Sequence, residues 1–176
     1  MLLLRDNTDY TPLTHTAHRG PRMSDRRADF VADKHEIETL QRLYAKATDK
    51  LGKKSPEIRE EGRRIYRRIF APDAQVRTAN TGNDYVAEGP EGWAGVAEAA
   101  LKDYIGTQHL IGTQLTEVDG DQGVLESYLN AWHKNPDNSV YYFLGTYISK
   151  VRRFDDGWKI TEMTLRLDTS GIVQTT

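Results

Sequence analysis

The feature that most limits the fold of this chain is its final third, where four strand-like stretches follow one another without a helical segment between them. Residues typical of tight turns separate the stretches, and Asp119-Gly120 is a dipeptide that favours a β-hairpin. Because consecutive strands joined by short turns pair antiparallel, we expect an antiparallel meander. The predicted strands span residues 108–118, 122–133, 139–153 and 158–168.

Side chains alternate between the two faces of a strand, which sorts the residues of the predicted meander. In the first strand, the residues that share a face are His109, Ile111, Thr113 and Leu115. In the last strand, they are Trp158, Ile160, Glu162, Thr164 and Arg166. This alternation agrees with an inward-facing Arg166, whose charge would need a partner such as Asp49 or an anionic ligand.

The first part of the chain predicts three amphipathic helices from apolar residues at helical spacing. They cover residues 34–50, residues 56–70, and a segment from Gly89 to Gly106. Ser55-Pro56-Glu57 supplies a capping hydroxyl, a first-turn proline and an acidic side chain at the second start. Two short strands, at 74–79 and 85–88, separate the second helix from the third.

The chain has the size of one domain with a single core. Residues 1–32 are polar and aperiodic, so we interpret them as an N-terminal tail, followed by a domain at 33–168 and a C-terminal tail at 169–176. Because Met23 could itself be a start codon, we expect residues 1–22 to be an extension that folding does not need.

The composition argues against several classes of function. The 176 residues include 24 Lys and Arg, 26 Asp and Glu, and no cysteine. This balance provides no basic patch for nucleic acid, and no apolar run is long enough to span a membrane. Lack of cysteine removes thiolate metal sites and fits a cytoplasmic location. Without a His-Glu-x-x-His motif or a phosphate-binding glycine loop, we expect neither a metal nor an organic cofactor.

Asp49, near the end of the first helix, and His109, at the start of a strand, are suited to proton transfer. A carboxylate that contacts an imidazole fixes its tautomer, and the imidazole takes the proton. In a regular helix Asp49 would lie opposite Leu40, so periodicity does not direct it to a pocket. Either the helix frays towards Gly52 or Asp49 is exposed.

The order of helix, helix, two short strands, helix and meander resembles the cone-shaped α+β fold of the nuclear transport factor 2-like (NTF2-like) superfamily. Short segments along residues 33–168 resemble its SnoaL-like branch: Glu36-Ile37, Leu43-Tyr44, Asp49, Phe70-Ala71-Pro72-Asp73-Ala74, Gly89-Pro90-Glu91-Gly92, His109-Leu110-Ile111-Gly112, Gly145-Thr146-Tyr147 and Phe154-Asp155-Asp156-Gly157-Trp158-Lys159-Ile160. The resemblance implies a curved, mixed, mostly antiparallel sheet that encloses a pocket together with three helices.

Within this branch the chain resembles scytalone dehydratase, hexachlorocyclohexane dehydrochlorinase and bile-acid 7α-dehydratase. The resemblance implies that Asp49 orients His109, the general base, and that Tyr44 donates a hydrogen bond to a substrate oxygen. It implies that Arg166 stabilises negative charge or holds Asp49. His133 is the one candidate for a second pocket histidine, but it ends a hairpin strand and receives no role. The implied function is a cofactor-independent lyase or isomerase for a small, largely apolar substrate derived from a polyketide, a steroid or an aromatic compound.

Other functions remain open. The chain also resembles the non-catalytic small β-subunit of ring-hydroxylating dioxygenases, and it could bind a small hydrophobic ligand or be an isomerase with Asp49 alone as base. Six aromatic residues could line the pocket or pack in the core: Trp93, Trp132, Tyr141, Tyr142, Phe143 and Tyr147. The exposed sheet face of such a fold predicts a homo-oligomer, either a dimer or a trimer.

Overall fold

Three helices and six strands make up the described part of the chain, residues 23–82 and 84–174 of a computed structural model. The helices are α1 (Met23–Leu51), α2 (Pro56–Ile69) and α3 (Gly89–Leu101). The strands are β1 (Phe70–Ala79), β2 (Val86–Glu88), β3 (Gly106–Asp119), β4 (Gln122–Lys134), β5 (Val140–Phe154) and β6 (Gly157–Val173). None of these helices has the length and apolar character that crossing a membrane requires.

The six strands form one sheet in the order β2-β1-β6-β5-β4-β3. Strands β1 and β6 pair in parallel, and the other neighbouring pairs in the described sheet are antiparallel. Strands β3 to β6 are the predicted meander, and β1 is added beside its last strand. The predicted α+β fold with a mixed, mostly antiparallel sheet is therefore confirmed.

A single apolar core lies between the helices and one face of the sheet. Helix α1 contributes a buried side chain every three or four residues, namely Ile37, Leu40, Tyr44, Ala47 and Leu51. These residues belong to the same cluster as Leu125, Tyr147 and Ile160 of the sheet. Burial of apolar surface, worth roughly 25 cal/mol per Å², therefore fixes α1 on the sheet.

Helix α1 begins at Met23, well before the predicted start at residue 34. Arg27, Asp29 and Phe30 are exposed in this first part, so they form no apolar stripe that periodicity could detect. A helix that is already packed elongates at little cost, because each added residue brings one more backbone hydrogen bond. Strand β6 likewise continues to Val173, so both predicted tails contain regular structure. The predicted extension, residues 1–22, lies outside the described residues.

A β-bulge in β3 reverses the predicted alternation of side chains. The register with β4 shifts between Ile111 and Gln114. His109 therefore points towards the core, whereas Leu115, predicted to share its face, is 65% exposed. A bulge sets two residues opposite one, so every later side chain changes face.

Helices α1 and α2 approach closely where Gly62 of α2 meets α1. A Cβ atom at this position would lie 2.9 Å from the carbonyl oxygen of Ala47 and 3.0 Å from Cγ of Leu51. We expect Gly62→Ala to lower the free energy of unfolding by about 1–3 kcal/mol, because the added methyl group forces the helices apart.

Gly95→Ala in α3 is the matched control, because no atom lies within 4 Å of the added Cβ. At this open helical position, alanine should raise the free energy of unfolding by about 0.5–1 kcal/mol. Urea denaturation of the two variants and the wild type measures both effects. If both substitutions stabilised the protein equally, the inferred close packing at Gly62 would be wrong.

Candidate active site

Asp49 lies in the last turn of α1, and strand β3 passes beside it. The helix is regular up to Leu51 and the Asp49 side chain is only 19% exposed, so both alternatives drawn from periodicity, a frayed end or an exposed residue, are wrong. Gly52 permits the close approach, because a Cβ atom there would lie 3.1 Å from Oγ1 of Thr107. Helix α1 is thus covered by the core on one side and by β3 on another.

The structure brings Asp49 and His109 into hydrogen-bond contact. Nδ1 of His109 lies 2.8 Å from Oδ1 of Asp49, and the His109 side chain is 8% exposed. The Thr107 hydroxyl donates to Oδ1, and the backbone N–H of His109 donates to Oδ2, each at 3.4 Å. This geometry favours the tautomer in which Nδ1 carries the proton, which leaves the lone pair of Nε2 available to accept another.

His109 is part of the wall of a cavity of about 440 Å³. Four of the aromatic residues named from the sequence line this cavity: Trp93, Tyr141, Phe143 and Tyr147. The other two, Trp132 and Tyr142, are cross-strand partners on the outer face of the sheet, with their ring centroids 6.0 Å apart. Because small-molecule sites commonly enclose a few hundred Å³, the cavity has the size of a ligand pocket.

Tyr44 lines the same cavity and is 2% exposed. Its hydroxyl accepts a hydrogen bond from Nε1 of Trp93 at 3.0 Å. Its ring stacks on Tyr66 with centroids 5.4 Å apart and meets Tyr147 edge-on at 5.2 Å. Burial raises the pKa of Tyr44, so the phenol keeps its proton at neutral pH and can donate to a ligand oxygen.

Arg166 lies on the outer side of the sheet, so its predicted inward orientation is wrong. The register between β5 and β6 shifts just after Ile160, and beyond this bulge Leu165 reaches the cavity. The Arg166 side chain is 47% exposed, and its Nε donates to Oδ1 of Asp168 at 3.3 Å. The extra residue in the strand turned the following side chains to the opposite face, up to a second register shift after Leu167.

His133 of β4 also reaches the cavity, although the sequence pattern assigned it no role. Its ring centroid lies 5.4 Å from that of His109, with the two rings nearly perpendicular. Tyr104 and Tyr141 place their rings 4.9 Å and 5.8 Å from the same imidazole. The bulge in β3 pairs His109 with Ala131, which puts His133 on the same face of the sheet. Counting outwards from the Asp119-Gly120 turn without the bulge would have put the two histidines on opposite faces, so no local signal identified His133. Within the described residues, no group of three or more His, Cys, Asp or Glu side chains is arranged to hold a metal ion.

Burial, together with the neighbouring His109, lowers the pKa of His133 to about 4. This imidazole is therefore neutral at pH 7, whereas in the unfolded chain it titrates near a pKa of about 6.5. As the pH falls below that value, the unfolded chain binds a proton that the folded protein does not. The stability of the fold therefore decreases as the pH falls towards 4.

We expect protonation of His133 in the unfolded chain to lower the free energy of unfolding by roughly 2 kcal/mol as the pH falls from 7 to 5. His133→Gln has no titrating ring at this position. Its free energy of unfolding should therefore decrease by about 2 kcal/mol less than that of the wild type over the same pH interval, whatever its stability at pH 7. Urea denaturation of both proteins at the two pH values provides the comparison. The same pH dependence in both would show that His133 is not held neutral by the fold.

Comparison with known proteins places this chain in a family. A family model described as a SnoaL-like domain matches residues 29–164. The chain matches no curated protein. It is similar in structure to a type 2 hexachlorocyclohexane dehydrochlorinase, at 17% identity over 85% of this chain and 95% of that chain, with a TM-score of 0.70.

Two structures from Novosphingobium aromaticivorans are also similar. One, provisionally named a scytalone dehydratase, is 18% identical over 85% of this chain and 93% of that chain, with a TM-score of 0.67. The other, an NTF2-like protein with a cystatin-like fold, is 15% identical over 84% and 90%, with a TM-score of 0.66. At such identities the likeness shows the fold, and the family match covers Asp49, His109 and His133. The chain belongs to the SnoaL-like family and has the NTF2-like, cystatin-like fold.

Proposed function

We propose that this protein is a cofactor-independent lyase or isomerase in which His109 is the general base and Asp49 orients it. The observation that carries the proposal is the 2.8 Å contact between Nδ1 of His109 and Oδ1 of Asp49 at the wall of a largely apolar cavity. Because Nδ1 donates to the carboxylate, Nε2 can take a proton from an acidic C–H group of a ligand. The imidazolium that forms is then stabilised by the charge of Asp49.

The fate of that proton decides the reaction. In a dehydration, the electrons of the broken C–H bond form a C=C bond, the adjacent C–O bond breaks, and the proton on His109 leaves with the hydroxide as water. In an isomerisation, the proton returns to another carbon. Both need a stabilised oxygen anion or enol, and the buried phenol of Tyr44 is a suitable donor. Donation from Trp93 into its oxygen polarises that phenol further.

The names of two structural neighbours support the same class of reaction. One is a dehydrochlorinase and one is provisionally named a dehydratase, and each name describes an elimination. The described residues that line the cavity include no arginine, so Arg166 has no part in the proposed mechanism. The proposed roles therefore fall on Asp49, His109 and Tyr44, with His133 as a second imidazole beside the base.

Proton exchange tests the proposal without the natural substrate. We expect the wild type to catalyse deuterium exchange into β-tetralone, a neutral bicyclic ketone with acidic C–H groups, followed by NMR in D₂O. His109→Ala should lower the enzymatic rate by about 10²–10⁴-fold, because the proton loses its acceptor. Asp49→Asn should also lower the rate, because the imidazolium loses its counter-charge.

Arg166→Ala is the control for this experiment and should leave the rate unchanged, because the side chain is exposed on the other face of the sheet. If only Asp49→Asn lost activity, the carboxylate itself would be the base, as in the isomerase alternative. If the wild type did not exchange any of a panel of such ketones, the ligand-binding or non-catalytic subunit alternatives would be favoured.

We also propose that the outer face of the sheet joins copies of this chain into a homo-oligomer. This face carries six exposed apolar side chains on β3, β4 and β5: Leu110, Leu115, Val124, Tyr128, Trp132 and Ile148. Several exposed apolar side chains on one face of a sheet are typical of an interface. The same face of a second copy would bury it symmetrically.

Sedimentation velocity at micromolar concentration should show a dimer or a trimer. Leu115→Lys should shift the protein towards monomer, because it places a charge in the buried contact. Val86→Lys is the matched control, since Val86 is 72% exposed but lies on β2, at the other edge of the sheet. A monomeric wild type would contradict the proposed interface.

A further inference from the structure

A second cavity, of about 410 Å³, lies between the end of α1, the beginning of α2 and one face of α3. Its residues on α3 are Gly95, Glu98, Ala99 and Lys102, and this helical spacing puts them on one face. None of its described lining residues also lines the cavity beside His109. Helix α3 therefore separates two cavities, and the proposed reaction uses only one of them.

We name this second space the basic cavity, because four of its lining residues are cations: Lys53, Lys54, Arg59 and Lys102. Among the described lining residues, Glu98 is the single carboxylate, and it is already paired. Its Oε1 accepts a hydrogen bond from Nε of Arg63 at 3.0 Å and lies 2.9 Å from Nη2 of the same guanidinium. Because the whole chain has a formal net charge of −2, this local excess of positive charge is not a general property of its surface.

Two of the four cations are held in place by backbone carbonyl groups. Nη1 of Arg59 donates to the carbonyl oxygens of Lys53 at 3.1 Å and Lys54 at 2.9 Å, just beyond the end of α1. Nζ of Lys54 donates to the carbonyl oxygen of Lys102, just beyond the end of α3. Cations are favourable at the C-terminal ends of helices, so these contacts have a structural role. They also fix two positive charges beside the basic cavity.

The other two cations, Lys53 and Lys102, have no such role. Their ammonium groups form no hydrogen bond or ion pair within the described part of the chain, and both residues are exposed. Glu57 of α2 does not compensate them, because it accepts from the Ser55 hydroxyl at 2.6 Å and does not line the basic cavity. Like charges around one space repel each other, and an anion that enters it relieves the repulsion.

The wall between the cations is formed by small or apolar residues, namely Leu51, Gly52, Gly95 and Ala99. A Cβ atom at Gly95 would meet no atom within 4 Å, so the missing side chain leaves open space above α3. One phosphate group would not fill about 410 Å³, and the rest of the space can hold the organic part of a ligand. The described lining residues include no aromatic ring that could stack on a nucleobase.

We propose that the basic cavity binds a small phosphomonoester with a saturated organic part, such as a sugar phosphate. A phosphate monoester carries nearly two negative charges at neutral pH and three strong acceptor oxygens. These oxygens would accept from the ammonium groups of Lys53 and Lys102 and from the N–H groups of Arg59 that do not face the carbonyls. The organic part would lie over Gly95 and Ala99.

Glucose 6-phosphate, glucose and inorganic phosphate are the three probes. In calorimetric titration of the full chain at pH 7.5, glucose 6-phosphate should bind more tightly than inorganic phosphate, because the sugar adds contacts with the wall. Glucose alone should not bind measurably, because it offers no charge to the cations. This order separates a phosphomonoester site from a site for free phosphate.

Charge variants test the cations. Lys53→Gln and Lys102→Gln should each weaken the binding of glucose 6-phosphate by about tenfold, because each removes a hydrogen bond to a charged group. Lys46→Gln is the matched control, since Lys46 is an exposed lysine of α1 that does not line the basic cavity. It removes the same charge and should leave the affinity nearly unchanged.

A size variant tests the location without any change of charge. Gly95→Leu places a side chain in the open space above α3 and should weaken binding of glucose 6-phosphate by at least about tenfold. Gly95→Ala adds only one methyl group and is the control for the loss of glycine. Urea denaturation of both variants shows whether the fold is intact.

Three results would overturn the proposal. One is the lack of measurable binding of glucose 6-phosphate, and another is binding no tighter than that of inorganic phosphate. The third is an equal effect of Lys46→Gln and the two cavity variants, which would show attraction to the surface in general. His109→Ala should bind glucose 6-phosphate like the wild type, so a failure of the proposed catalysis leaves this inference intact and is distinguishable from its failure.

Discussion

The packing of α1 between the core and strand β3 is the contact on which the rest of the site depends. The apolar stripe of α1 fixes the helix on the sheet, and this leaves the face that carries Asp49 turned towards β3. Strand β3 then supplies all three donors to the carboxylate, from Thr107 and from the ring and backbone of His109. A slip of β3 by one residue would turn His109 outwards and leave a partly buried carboxylate without partners.

The electrostatics of the site follow from this arrangement. Among the described residues, Asp49 is the carboxylate that contacts His109, and its charge is compensated by hydrogen bonds on the side away from the cavity. The cavity itself holds neutral donors and acceptors, which include phenols that keep their protons because burial raises their pKa values. In a poorly solvated space a positive charge that forms on His109 interacts strongly with the carboxylate behind it. In the proposed mechanism, Asp49 is therefore the counter-charge of a protonated His109.

Local signals in the sequence predicted the elements well, and bulges that shift the register between paired strands caused the errors. Ser55 caps α2 as expected, with its hydroxyl accepting from the N–H of Ile58, because a cap depends on residues within one turn. The Asp49–His109 contact was expected from the resemblance, whereas helical periodicity placed Asp49 elsewhere. The spacing of apolar residues identifies only the face of a helix that packs on the core, whereas α1 is also covered by β3 on a second face. Arg166 was misplaced because a bulge depends on how one strand pairs with its neighbours, which alternation within one strand does not reveal.

The bulge after Ile111 divides β3 into two segments, and the side chains of the second segment point to the opposite faces from those that alternation in the first would predict. Before the bulge, the odd-numbered side chains point to the interior, and His109 contacts Asp49. After the bulge, the odd-numbered side chains point outwards, and Leu115 lies on the same face as the exposed apolar residues of β4 and β5. Substitutions at the outward-facing positions after the bulge therefore need not disturb the register before it. One strand can thus vary its outer surface and the residues that face Asp49 separately in the course of evolution.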